Sequence, residues 1–345
     1  MKTSTRNPYV DVLRGIAILL VVLGHTITGC TKGSQDSFLY NVIWALQMPL
    51  FFLISGFVTK YSRGCINSQS LRKYIFRRSL AYLLPWAVWS FIIRGFIHGE
   101  NAFLDLSCIC WNMDSGYWFL FSIWTISICF GLSEFTAIKL FHTKTMEIFA
   151  TSFILALFGL LLFVIGQSVG MNFLGIKLTI YYIPFYWLGY LYSKFGDTFS
   201  RVKFCDTLNT ILIALSTIVW IYFMYNVSLY KLPDNGISVF MRIICSLSGC
   251  ISVCGLCKGA LCIGRGGNRI VGYLQWSGNH SLEVYLGQYL MLNILMLGDT
   301  PSFMTVKGIL LSTANFIITM VLLTVVILLT NQNKFLRFIL YGKTN

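Results

Sequence analysis

The chain has 345 residues, 56% of them hydrophobic and only 11% charged, with a mean hydropathy of +0.72. A water-soluble domain carries roughly 25% charged residues, so composition argues against a soluble enzyme and for a chain solvated by lipid, which tolerates apolar surface and penalises charge. The net charge of +14 would suit a nucleic-acid binder, but the cations lie in short tracts between apolar runs, and no basic face or stacking module accompanies them.

The first apolar run, residues 10–29, contains Asp11 and Arg14 and lacks a small-residue cleavage site, so it reads as a span rather than a cleavable signal. Further runs follow at 38–59, 79–97, 117–135, 148–166, 178–195, 208–227, 240–262, 281–297 and 309–330. Each is about the length a helix rising 1.5 Å per residue needs to cross ~30 Å of hydrocarbon. A barrel would need alternating strands, and these runs do not alternate. The expected fold is therefore an all-α membrane protein, a bundle of about ten transmembrane helices. With the N-terminus cytoplasmic, nineteen Lys and Arg residues fall inside, including Lys60, Arg72, Lys73, Arg77 and Arg78. Only Lys32, Lys177, Lys231 and Lys307 fall outside. The positive-inside rule then predicts both termini in the cytoplasm. No repeat or linker breaks the chain, so residues 1–345 are expected to form a single transmembrane domain with no soluble domain.

The eleven cysteines lack metal-ligand spacing and read as small apolar packing groups; no metal is expected. The loop from His98 to Gly116 holds Glu100, Asp105, Trp111 and Asp114 before Tyr117. It reads as a solvated acidic loop with interfacial aromatics, or as a grip for a sugar.

Ionisable groups inside spans cost several kcal/mol unless they face a cavity or a partner. Arg14 and His25 stand eleven residues apart in the first span. That is three turns plus about 20°, so both project from one face, about 16 Å apart along the axis. One reading is a cavity in which Arg14 meets an anionic donor and His25 acts as general base. The other makes Arg14 a snorkelling residue paired with Asp11 and His25 an interfacial histidine. The residues alone leave both open.

The stretch Asp11-Val12-Leu13-Arg14-Gly15-Ile16-Ala17, followed by Gly24-His25, resembles the opening signature of the acyltransferase-3 family of membrane O-acyltransferases: an arginine, ten residues, then a histidine. Met48–Phe57 resembles that family's second-helix motif, and Arg77-Arg78 with Leu84-Pro85 its basic third-helix start. Tyr117-Trp118-Phe119-Leu120 and Ser281–Leu286 are similar to its fourth-helix start and late helix.

The resemblance implies an O-acyltransferase of the bacterial inner membrane, of the stand-alone polysaccharide or O-antigen O-acetyltransferase type. Acyl-CoA, usually acetyl-CoA, would serve as cytoplasmic donor substrate, with no permanently bound cofactor. A surface glycan or lipid-linked sugar would be the acceptor, with the lipid bilayer and no nucleic acid among its partners. By motif match it implies His25 and Arg14 as catalytic, and Arg14, Arg77 and Arg78 as donor-binding. Gln47, Ser55, Trp118 and Gln288 are the expected substrate contacts. Ala81 stands where the third-helix motif often has a second arginine, and Gln47 and Gln288 stand where histidines are common. Glutamine holds a hydroxyl but shuttles no proton, which leaves His25 as the base. Direct transfer and prior acylation of His25 or Ser55 both remain open. Ser277-Gly278-Asn279-His280 spells the name of the SGNH esterases, whose four residues come from separated blocks; here it reads as a turn starting a helix. The rival function is a transporter or flippase of a lipid-linked glycan or acyl substrate.

Overall fold

The computed structural model describes residues 7–61, 64–92, 110–111, 113, 117–199, 205–263, 269–295 and 300–343. Among them there is no strand, only an isolated parallel bridge between Lys32 and Ser302. Glu100, Asp105 and Asp114 lie outside the described residues, as do Arg94 and the termini.

The helices are α1 (Pro8–Cys30), α2 (Phe38–Phe57), α3 (Ser68–Arg78) and, beyond a π turn at Ser79–Leu83, α4 (Leu84–Ile92). Then come α5 (Trp118–Leu140), α6 (Lys144–Val169), α7 (Ile176–Phe199), α8 (Cys205–Asn226) and α9 (Gly236–Ile263). Last are α10 (Arg269–Asn279), α11 (Ser281–Met291), α12 (Val306–Gln332) and α13 (Lys334–Tyr341). Seven of these, α1, α2, α5, α6, α8, α9 and α12, are long and apolar enough to cross a membrane. Three apolar runs of the sequence fall on other helices. The run at 79–97 begins with the π turn, that at 178–195 lies on α7, which contains Pro184, and that at 281–297 begins on α11, which with α10 makes up a late helix divided at His280. On α6, Phe153, Leu160 and Val164 are each at least 60% exposed. A helix apolar on its outward face is stable only in a medium without water.

The described chain divides into two compact units, residues 1–55 with 194–327 and residues 56–193 with 328–345. In the first, α1 packs along the late helix through two glycines. A Cβ at Gly15 would collide with the Leu274 carbonyl oxygen, and one at Gly278 with that of Asp11. Small residues at a crossing let backbones touch, and dispersion then does what hydrophobic burial cannot do in lipid. Farther along, His25 meets Tyr289 and Gly29 meets the Asn293 amide. The paired numbers rise together, so the two segments run parallel. The loops that follow them join at the Lys32–Ser302 bridge, where the Lys32 N–H donates to the Pro301 carbonyl at 3.0 Å.

Elsewhere in this unit, Ala45 of α2, Met224 of α8 and Cys245 of α9 form a buried cluster with Leu229. The Asn41 amide donates to the carbonyls of Met224 (3.2 Å) and Val227 (2.7 Å), and its oxygen accepts the Leu229 N–H (3.0 Å). Arg242 secures the same turn, donating to the Leu229 and Leu232 carbonyls, pairing with Asp234 at 3.1 Å and lying over Trp44. Asn41→Ala strands three buried backbone groups, and at roughly 1–3 kcal/mol for an unmet buried partner it lowers the unfolding midpoint in detergent measurably. An unchanged midpoint would show that the turn is held without Asn41.

In the second unit, α3 packs on α5 with a Cβ at Gly131 only 2.6 Å from the Tyr74 ring. Trp124 donates to Ser79 Oγ at 3.0 Å, which ties α5 to the π turn. Trp89 of α4 donates to the Leu340 carbonyl at 2.8 Å and stacks on Tyr341, seating α13.

Candidate functional site

The first unit contains Arg14, His25, Gln47, Ser55 and Gln288; the second contains Arg77, Arg78 and Trp118.

His25 lies in the fifth of α1's six turns, half-buried. Its Nε2 is 3.4 Å from the Tyr289 hydroxyl of α11, and the two rings are tilted by 56° with centroids 5.2 Å apart. The ring therefore faces a polar side chain of the packed helix rather than hydrocarbon. Gly24, immediately before it, makes room for Gln47: a Cβ there would stand 3.3 Å from Gln47 Oε1 and 2.9 Å from Ile43. The structure thus sets Gln47 against the residue that precedes His25. Gln288 precedes Tyr289, about 100° round the helix from it. It is 0% exposed, and neither amide atom has a hydrogen-bond partner among the described residues. A buried unpaired polar group costs about 1–3 kcal/mol, and unexplained cases mark sites that bind water or ligand.

Arg14 is half-buried one turn above the buried Asp11, and helical spacing puts it about 16 Å below His25. The Ser55 hydroxyl donates to the Phe51 carbonyl at 2.8 Å, the back-bond usual for serine within a helix.

In the second unit the adjacent arginines part company. Arg77 is exposed, whereas Arg78 is half-buried among tyrosines. Its guanidinium lies 5.2 Å from the Tyr74 ring centroid and 5.9 Å from that of Tyr82, and its Nη1 donates to the Tyr82 hydroxyl at 3.2 Å. No carboxylate among the described residues forms an ion pair with it. Cation–π and phenol contacts soften the cost of burying this charge but leave it able to attract an anion. The π turn that follows is a feature frequent at functional sites. Trp118 stacks on Tyr182 of α7, with centroids 5.5 Å apart and planes 19° from parallel.

Two residues of the late helix were not singled out from the sequence. Glu283, 1% exposed, stands between the levels of Arg14 and His25 as the paired residues of α1 and the late helix mark them. Tyr289 is the partner of His25. The signal for both was their spacing from Gly278, readable only once that glycine is known to cross Gly15. The Ser277–His280 stretch also differs from its sequence reading. Ser277 to Asn279 close α10, and His280 is the joint to α11, its Nδ1 bonded to the Trp276 carbonyl at 3.0 Å and its ring stacked on Trp276.

A family model described as an acyltransferase domain matches residues 7–331. Two relatives are each called nodulation protein NolL. The one from Sinorhizobium fredii is 26% identical over 200 residues, covering 55% of this chain and 50% of its own. The one from Mesorhizobium japonicum is 28% identical over 209 residues, covering 56% of this chain and 49% of its own. The chain thus spans about half the length of the curated relatives it matches. No solved structure matches.

Proposed function

Because the chain belongs to the acyltransferase-3 family, we propose that it is a bacterial inner-membrane O-acetyltransferase that moves an acetyl group from cytoplasmic acetyl-CoA to a hydroxyl of a surface glycan such as O-antigen. The observation that carries this reading is His25, a base held inside the first span against a polar partner. The unpaired amide of Gln288 on the same late helix supports it.

In the proposed reaction His25 takes the proton of the sugar hydroxyl, and that oxygen attacks the thioester carbonyl. The C–S bond breaks, and the departing thiolate recovers the proton from the imidazolium. The proposed step is direct transfer, in which the Ser55 hydroxyl, bonded to its own helix, is given no part. Gln47 and Gln288 hold hydroxyls of the acceptor, and Trp118 offers an aromatic face to it. Arg14, Arg77 and Arg78 serve the anionic donor, Arg78 as the principal phosphate contact because a partly desolvated cation binds an anion more strongly than an exposed one. We take the whole chain as one such domain of ten spans with both termini cytoplasmic. The parallel run of α1 and the late helix supports that parity, since a first and a ninth span start on the same side.

Mass spectrometry of surface glycans tests the reaction in cells with and without the protein. Glycan acetylation that depends on the protein is expected; glycans that change side without changing mass would replace the reaction with transport. With the purified protein and acetyl-CoA titrated as donor, Arg78→Ala is expected to raise the donor KM by about 10–100-fold, the scale of one lost hydrogen bond to a charged group, while Arg77→Ala changes it little. Equal effects from the two arginines would refute their division of labour. A reporter fused after Asp105 is expected outside the cytoplasm.

A further inference from the structure

A general base needs one ring nitrogen with a free lone pair facing its substrate, so which nitrogen of His25 carries the proton decides whether it can work at all. Among the described residues the Tyr289 hydroxyl is the one side-chain group hydrogen-bonded to that ring, and it meets Nε2 at 3.4 Å. A phenol can donate to Nε2, which would place the imidazole proton on Nδ1 and occupy the only lone pair. It can instead accept from Nε2–H, which frees the Nδ1 lone pair. Only the second arrangement leaves a base.

Resting on the acyltransferase reading above, we infer that Tyr289 is the positioning residue of His25: its phenol oxygen accepts the Nε2–H hydrogen bond, fixes the tautomer, and presents Nδ1 to the acceptor hydroxyl. Nδ1 then takes the proton as the acceptor oxygen bonds to the acyl carbon, and returns it to the departing thiolate. Nε2 keeps its proton throughout, and Tyr289 never reacts.

The packing on either side makes Tyr289 a rigid partner. Toward the start of α1 the Gly15–Gly278 crossing fixes the register of the two segments by backbone contact. One turn beyond His25, the Asn293 amide seats directly over Gly29. Asn293 does so from a left-handed backbone conformation, φ 55°, which asparagine tolerates better than most residues. Tyr289 and Asn293 thus meet His25 and Gly29 as two pairs, each four residues apart. The side of the His25 ring that carries Nε2 is closed by the phenol. While protonated, the imidazolium keeps that phenol oxygen as an acceptor, which matters most where water is scarce.

The experiment uses the full-length protein in detergent or nanodiscs with its histidines labelled by nitrogen-15. The chain has four histidines, and His25→Ala assigns the resonance of interest. In the wild type, Nε2 of His25 is expected as the protonated nitrogen and Nδ1 as the unprotonated one. In Tyr289→Phe, which keeps the ring and loses only the hydroxyl, the two tautomers mix. In the transfer assay that variant loses kcat by about 10–100-fold, the scale of a misplaced catalytic group, with acceptor and donor KM within about twofold. Tyr289→Leu adds a packing defect and serves only to separate folding from function. A wild type protonated at Nδ1 overturns the proposal, as does a Tyr289→Phe protein with unchanged tautomer and unchanged kcat; in either case transfer that still requires His25 leaves the reaction standing. Loss of the fixed tautomer in Tyr289→Phe, in a protein that acylates nothing, upholds the hydrogen bond and overturns the reaction.

Discussion

His25→Ala abolishes glycan acylation, lowering turnover by about 10²–10⁴-fold, the contribution general a positioned base makes. The protein itself should accumulate normally. The ring is half-buried and its only side-chain hydrogen bond among the described residues, to Tyr289, is a long one, so its removal leaves little unmet. Surface-glycan mass spectrometry, normalised to the amount of protein in the membrane, reads the effect. Full acylation by the alanine variant would remove His25 from the mechanism. His25→Gln is the sharper companion, because an amide can still hydrogen-bond Tyr289 but cannot carry the proton; it should be as inactive as alanine.

The second large effect is structural. Gly278→Leu forces a side chain into the place where the late helix touches the Asp11 carbonyl. Overpacking a tight contact usually costs about 1–3 kcal/mol, and here the obstacle is backbone, which cannot rotate away. The unfolding midpoint in detergent should fall and acylation should disappear with it. Gly272→Leu is the matched control: it lies on the same short helix with nothing within 4 Å of a Cβ, and it should leave both unchanged. If Gly278→Leu kept its stability and its activity, the crossing would be incidental to the site.

The spans were legible because lipid leaves the chain few choices. Long runs with almost no charge must be helices, and the seven that meet both length and hydropathy on the structure coincide with runs visible in the sequence. The interruptions were not legible. The π turn after Arg78 is bonded through Ser79 to Trp124, a contact forty-five residues distant that no local pattern encodes. The Ser277–His280 stretch reads in sequence as a turn starting a helix, yet Gly278 lies inside α10 and serves helix contact. Arg14, His25 and Gln288 could be singled out because polar groups in apolar runs stand out singly. Tyr289 could not, since one tyrosine among eighteen carries no mark of its partner. Arg77 and Arg78 looked equivalent as neighbours in sequence; the 100° between them on a helix exposes one and sinks the other among tyrosines.

The parallel contact between α1 and the late helix joins α1 to a segment made more than 250 residues later. At about 5–20 residues per second of synthesis, the ribosome needs on the order of tens of seconds to supply that partner. During this interval α1 sits in the bilayer with Asp11, Gly15 and His25 lacking their late neighbours. A chain cut short anywhere before that segment leaves Gly15 and His25 without the neighbours they have in the folded protein.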